Sequence, residues 1–169
     1  PIFAPAPAFA AGGFPTSLTE SGQHLVLNGQ GTRTKLLFHL YDAALYLPEK
    51  NRNAAAIIAA EKPMAVRLII TSSLITSARM EEAVREGFAD AHAGPKLKSR
   101  IDQMISVFET PIKTGDVYDF VYRPGTLTII KNGKPATAIP GADFKQALFS
   151  IWLGATPVQA SLKTGMLGG

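Results

Sequence analysis

The sequence predicts an α+β fold, a mainly antiparallel sheet covered on one face by helices. Three observations carry this. Segments of strand character and segments of helical character come in blocks rather than alternating one by one, which argues against a parallel α/β sheet. A long apolar run over residues 36–47 has no single period, as expected of a strand buried on both faces. Residues 116–139 hold three short runs separated by Arg123-Pro124-Gly125 and Asn132-Gly133, the pattern of an antiparallel meander.

Each element follows from its residues. Residues 14–20 read as a short edge strand, with Pro15 near the start, where a missing donor is tolerated. Residues 24–29 read as a strand closed by an Asn28-Gly29 hairpin turn, and Gly29 and Gly31 as turn residues. The run at 36–47 is too rich in Leu, Phe and Tyr for a surface loop; a buried helix is its competing reading, which periodicity does not exclude. Residues 51–61 contain AAAIIAA, a helix by propensity, capped by Asn51 or Asn53. Residues 64–72 read as a strand, with Val66, Leu68 and Ile70 on one phase and Arg67 and Ile69 on the other.

Thr76 or Ser77 then caps a helix whose Met80, Ala83, Val84, Gly87 and Phe88 recur at helical spacing, and Gly94-Pro95 breaks it. Residues 95–110 read as another helix, with Leu97, Ile101, Met104, Ile105 and Phe108 on one stripe. After the meander, Asp143 caps a helix carrying Phe144, Ala147, Leu148, Ile151 and Trp152, with Gly154 as its C-terminal glycine. A last helix spans 157–166, with Ser161 and Lys163 facing water.

At 169 residues the chain is read as one domain over 14–169, preceded by an arm at 1–13. That arm is apolar and uncharged, and Ala8-Phe9-Ala10 has the form of a signal-peptidase site; the expectation is an exported, periplasmic protein, with a Pro/Ala-rich arm as the plainer alternative. No stretch reaches the roughly 20 apolar residues of a membrane span. The net charge of +4 is not gathered into a basic block or stripe, so a nucleic-acid partner has little support. Cysteine is absent, which excludes disulfides, thiolate metal sites and a cysteine nucleophile.

No standard motif for chemistry is present. The GQGTRT segment at 29–34 precedes a strand, so it is no dinucleotide fingerprint. His24, His39 and His92 share no ligand spacing, and neither a metal nor a cofactor is expected. Arg33 stands out. Its guanidinium is a flat, permanent cation suited to a carboxylate or a polarised carbonyl. It sits just ahead of an apolar strand, so either it points into a cleft, or it pairs with Asp42 or stands as an edge charge in water. Arg67, in a strand with apolar neighbours, has the same two readings. Thr71, Ser72, Ser73 and Thr76 read either as ligand donors or as a strand end and helix cap.

The segments GQGTRT, LFHLYDAALYLPEK, ITSSLITSARMEEAVREGF, GDVYDFVYRPG, IIKNGKP, IPGADFKQALFSIWLG and SLKTGMLGG together resemble the bacterial branch of the chalcone isomerase-like family. The resemblance covers nearly the whole chain after about Phe14. It implies an open-faced β-sandwich, a large antiparallel sheet under a helical layer, with the ligand cleft between them. Plant members of the family close a phenol onto an enone; related plastid members bind fatty acids without known catalysis. Both use the arginine of a Gly-x-Gly-x-Arg segment, which is Arg33 here.

The rest of the enzymes' polar set does not carry over. Their strand threonine falls at Asp42. Their tyrosine, lysine and asparagine fall at Met80, Ala83 and Gly87, and a second threonine falls at Ile151, beside Trp152. The resemblance therefore implies a non-catalytic protein holding a fatty acid or similar apolar carboxylate by Arg33. Tyr41 or Tyr46 serves as a hydroxyl partner, and Met80, Val84, Phe88 and Trp152 lie along the tail. The alternative is a chalcone–flavanone isomerase, an intramolecular lyase working on a chalcone, another enone or a polyphenol-like ligand with Arg33 as its catalytic residue. A structural partner protein, in which Arg33 only pairs with Asp42, is the third reading.

Overall fold

The computed structural model describes residues 13–20 and 22–169. The export reading of the first ten residues therefore lies outside the described residues. Seven strands form one sheet in simple chain order, every neighbour antiparallel. They are β1 (Ser17–Glu20), β2 (Gln23–Lys35), β3 (Phe38–Leu47), β4 (Met64–Ile70), β5 (Val117–Arg123), β6 (Thr126–Lys131) and β7 (Lys134–Pro140). Helix α1 (Ala54–Ala59) joins β3 to β4; α2 (Ser77–Asp90) and α3 (Lys98–Val107) join β4 to β5; α4 (Ala142–Leu153) and α5 (Ala160–Met166) close the chain. The α+β expectation holds, and so does the meander: Asn132 (φ 50°) and Gly133 (φ 79°) make its tight turn.

Local signals found most helix starts. Asn53 caps α1 by accepting from the Ala56 amide, and Thr76 caps α2 by accepting from the Arg79 amide. Gly141, not Asp143, is the N-cap of α4; Asp143 lies in the first turn and accepts from the Phe144 amide. Arg100 also grips Asp143 in a two-pronged pair, which holds that carboxyl at about 2, below the usual carboxylate range. The helix expected over 95–110 is a 3₁₀ turn (Pro95–Leu97) running into α3.

The start of the chain differs from expectation in one informative way. β2 does not turn at Asn28-Gly29; it continues to Lys35, with a bulge between Leu27 and Gly29. The turn lies at Leu36-Leu37, because Lys35 pairs with Phe38. Gly29 and Gly31 are not turn residues. A Cβ on Gly29 would lie 2.1 Å from the carbonyl oxygen of Gly165, and one on Gly31 would lie 3.0 Å from Leu162 Cδ1. These glycines let α5 lie directly against the strand.

The two faces of the sheet are packed differently. Ala43, Leu45, Val66, Leu68, Phe120 and Ile129 face the helices and form the main core with Phe88, Phe144, Leu148 and Trp152. The alternate residues Ala44, Tyr46, Ala65 and Val121 face the other way and are covered by Phe14, Leu18 and Leu25. On that outer face Arg67 and Asp119 are directly opposed across β4 and β5 and bond at 2.7 and 3.0 Å. Arg67 thus takes the ion-pair reading rather than the ligand one. Asp119 is buried, so Asp119→Ala strands a half-buried guanidinium and is expected to cost about 3 kcal/mol in urea unfolding. The double replacement Arg67→Met/Asp119→Leu recovers most of that loss, because two apolar groups leave no charge unpaired.

Candidate functional site

Arg33 and Tyr41 are cross-strand partners on β2 and β3, so their side chains share the face under the helices. Asp42, one residue on, points to the opposite face and accepts a hydrogen bond from Thr32 Oγ1 at 2.6 Å. The alternation of a strand therefore separates Arg33 from Asp42, and the expected pair between them does not form. Asp42 lies away from Arg33's site for the same reason. Tyr46 is also on the far side, where its hydroxyl donates to the Pro15 carbonyl at 2.7 Å; it is no partner of Arg33.

The Arg33 guanidinium is half-buried. Its Nη1 donates to the Thr34 carbonyl and to Gln159 Oε1 at 3.2 Å. Both acceptors are neutral, and among the described residues no carboxylate forms an ion pair with it. The Tyr41 hydroxyl accepts from Trp152 Nε1 at 3.2 Å. Burial raises the Tyr41 pKa above its ordinary value, while the Trp152 bond and the charge of Arg33 pull it back.

Gln159 was not legible in the sequence. It stands just before α5, and its amide does the work of a neighbouring strand. Oε1 accepts from the Thr34 amide at 2.8 Å and Nε2 donates to the Thr32 carbonyl at 2.9 Å. The segment around β1 reaches β2 as far as Leu27, whose amide donates to the Thr16 carbonyl, so the edge at Thr32 and Thr34 lies beyond it. The same side chain then orients Arg33. A glutamine carries this pattern only by where it lands, and nothing in the local sequence marks it.

Of the helical residues expected along a ligand, all but one pack together in the main core. Met80, Val84, Phe88, Ile151 and Trp152 all join the main core. Phe88 meets Phe144 with ring centres 5.4 Å apart, and Trp152 meets Phe120 at 5.8 Å. Gly87 allows α2 to lie close to α4, since a Cβ there would sit 3.1 Å from Ile151. Ala83 is exposed and does not join the wall; the apolar stripe of α2 runs through Met80, Val84 and Gly87 instead.

The wall is closed in this structure, with Met80, Val84, Ile151 and Trp152 each less than a tenth exposed. A groove of about 260 Å³ opens elsewhere, between α2 and α3, and shares only Phe88 with the residues expected at a ligand. No group of His, Asp and Glu side chains among the described residues has the arrangement to hold a metal ion. No helix of the described residues is long and apolar enough to cross a membrane.

A family model described as chalcone isomerase-like matches residues 6–168. No curated protein matches the sequence. Among solved structures, a fatty-acid binding protein of Arabidopsis thaliana matches with a TM-score of 0.74 and 16% identity, over 96% of each chain. At that identity the likeness shows a shared fold.

Proposed function

We propose that this chain, which belongs to the chalcone isomerase-like family, is a binding protein for a fatty acid or a similar apolar carboxylate. The observation that carries the reading is the half-buried Arg33, whose partners are all neutral, beside Tyr41, which joins this strand face to Trp152 in the apolar wall with Met80, Val84 and Ile151. A half-buried cation without a counter-charge favours an anion. The adjoining apolar wall favours a long hydrocarbon tail. The fatty-acid binding protein of like fold supports the same class of ligand.

Catalysis has weaker support. Near Arg33 stand Gln159, whose amide is engaged with β2, and Tyr41, whose hydroxyl is engaged with Trp152. An isomerase needs groups that hold both the attacking phenol and the ketone oxygen in line. Because the wall is closed, a ligand tail would enter by parting α2 from α4, where Gly87 meets Ile151.

Palmitate titration by calorimetry tests this. Wild type is expected to bind, Arg33→Ala to bind about tenfold or more weakly, and Arg33→Lys to fall between them, with all three equally folded by circular dichroism. A chalcone panel is expected to show no turnover. Equal palmitate affinity in wild type and Arg33→Ala, or none in wild type, would reject the proposal.

A further inference from the structure

The run over 36–47 does not begin inside the protein. Leu36 and Leu37 form the tip of the β2–β3 hairpin, 89% and 95% exposed, and Phe38 behind them is 52% exposed. Leu36 has a φ of 58°, a left-handed conformation in which a leucine is strained and glycine or asparagine would be cheaper. Two consecutive leucines held out in water, one of them strained, have no role in the core. The neighbouring loop is tied to the same end, since the Thr71 amide donates to Leu40 O at 3.1 Å and Thr71 Oγ1 to His39 O at 3.3 Å. That loop carries Leu74, 38% exposed. A third loop joins them where the Gly115 amide donates to Ile70 O, and it carries Lys113.

The hairpin tip and the loop beside it carry cations and no acid of their own. Residues 33–41 and 71–80 contain no acid, but they hold Arg33, Lys35 and Arg79. Arg79 Nη1 donates to the Leu74 carbonyl at 3.1 Å, so its charge lies beside that leucine. Of the acids next along the chain, Asp42 accepts from Thr32, Glu81 pairs with Arg85, Asp116 accepts from the Lys113 amide and Asn132 Nδ2, and Glu82 lies exposed in the first turns of α2.

From this geometry we infer that the β2–β3 tip docks onto an anionic phospholipid bilayer, with Leu36 and Leu37 entering the acyl boundary and Lys35 and Arg79 lying among the headgroups. Leucines projecting beyond a collar of cations match the depth profile of a membrane interface, apolar inside and anionic at its surface. A protein partner fits less well. A stable protein interface covers about 800 Å² on each side, and a two-residue tip is a narrow convex point. The inference deepens the binding reading by naming where an apolar acid would be collected, yet its test needs no fatty acid.

The test is co-sedimentation of the full chain with vesicles of phosphatidylglycerol and phosphatidylcholine, against phosphatidylcholine alone. Wild type is expected to bind the anionic vesicles, and more weakly as salt rises. Leu36→Gly/Leu37→Ser is expected to reduce binding about tenfold or more, and Lys35→Glu several-fold. The first of these relieves the strain at Leu36, so it is expected to fold at least as well as wild type, which thermal melting checks. Palmitate titration of the same variant is expected to match wild type, so failure of the membrane inference and failure of the ligand proposal give different results. Wild type that stays in the supernatant, or a tip variant that sediments as wild type does, overturns the inference. So does a wild-type dimer in sedimentation velocity that the tip replacement abolishes without any vesicle binding.

Discussion

Gly29→Ala is expected to unseat helix α5 and to destabilise the protein by about 3 kcal/mol or more, an overpacking cost at the upper end of its usual range. The new methyl would lie 2.1 Å from the Gly165 carbonyl oxygen, 2.6 Å from the Gly168 nitrogen and 2.7 Å from the Met166 carbonyl oxygen. All three are backbone atoms, so no rotamer change makes room. Either β2 or α5 must move. Movement of α5 breaks the bond from Asn28 Nδ2 to Met166 O at 2.9 Å and exposes Leu162 and Met166, both fully buried. It also shifts Gln159 and so releases Arg33.

Urea unfolding measures the loss, and amide hydrogen exchange should show it concentrated in α5. Gly94→Ala is the control. Nothing lies within 4 Å of a Cβ there and its φ of −78° suits any residue, so its effect should stay within about 0.5 kcal/mol. A Gly29→Ala protein as stable as the Gly94→Ala control would mean that the close approach of α5 is not required.

Lys145→Ala is expected to cost about 3–5 kcal/mol, in the range seen when one partner of a buried charged network is removed. The residue is fully buried, and its ammonium donates three hydrogen bonds, to Ile57 O at 2.9 Å, Ile58 O at 2.7 Å and Ala60 O at 2.7 Å. These are carbonyls at the C-terminal end of α1, where a helix lacks internal donors and favours a cation. Lys145 on α4 therefore closes α1 from outside it. The Tyr122 and Phe149 rings stand 5.3 and 5.4 Å from the charge. Lys145→Met keeps most of the volume but removes this donor from all three carbonyls, of which Ile57 O retains the Ala60 amide at 3.3 Å, so it should still lose about 2–3 kcal/mol.

The two replacements also separate packing from charge through pH. Burial pushes the Lys145 pKa down to about 8 from 10.5, against the opposing pull of Glu61. Between those values the unfolded chain binds the proton that the native protein has released, so native stability rises with pH across the window. The stability gap between wild type and Lys145→Met should therefore widen from pH 8 to 10.5. Chemical denaturation at several pH values checks this, and a gap that stays constant would mean that the amine keeps its proton throughout.

Much of the fold is written in short-range pattern. The run over 126–131 is β6 itself, Asn132-Gly133 turns where it should, and Asn53 and Thr76 cap the helices they precede. Arg33, too, was legible as the out-of-place cation, because a permanent charge beside an apolar run contradicts its surroundings. These features depend on residues within a few positions of one another, where backbone preference and strand or helix period act directly.

The failures have one cause. Gly29 looked like a turn because glycine serves both turns and close approach, and only the position of α5 tells which. Residues 36–37 looked buried because leucine composition does not say where a hairpin reverses. Gln159 reaches Arg33 across 126 positions of chain, and Lys145 reaches Ile57 across 88. The sequence alone thus determined the element order, the antiparallel meander and the arginine. The tertiary structure decided what Arg33 faces, which glycines are indispensable and which apolar residues meet water. The packing of distant segments selects among locally equivalent uses of the same residue, and that selection is a property of the whole fold.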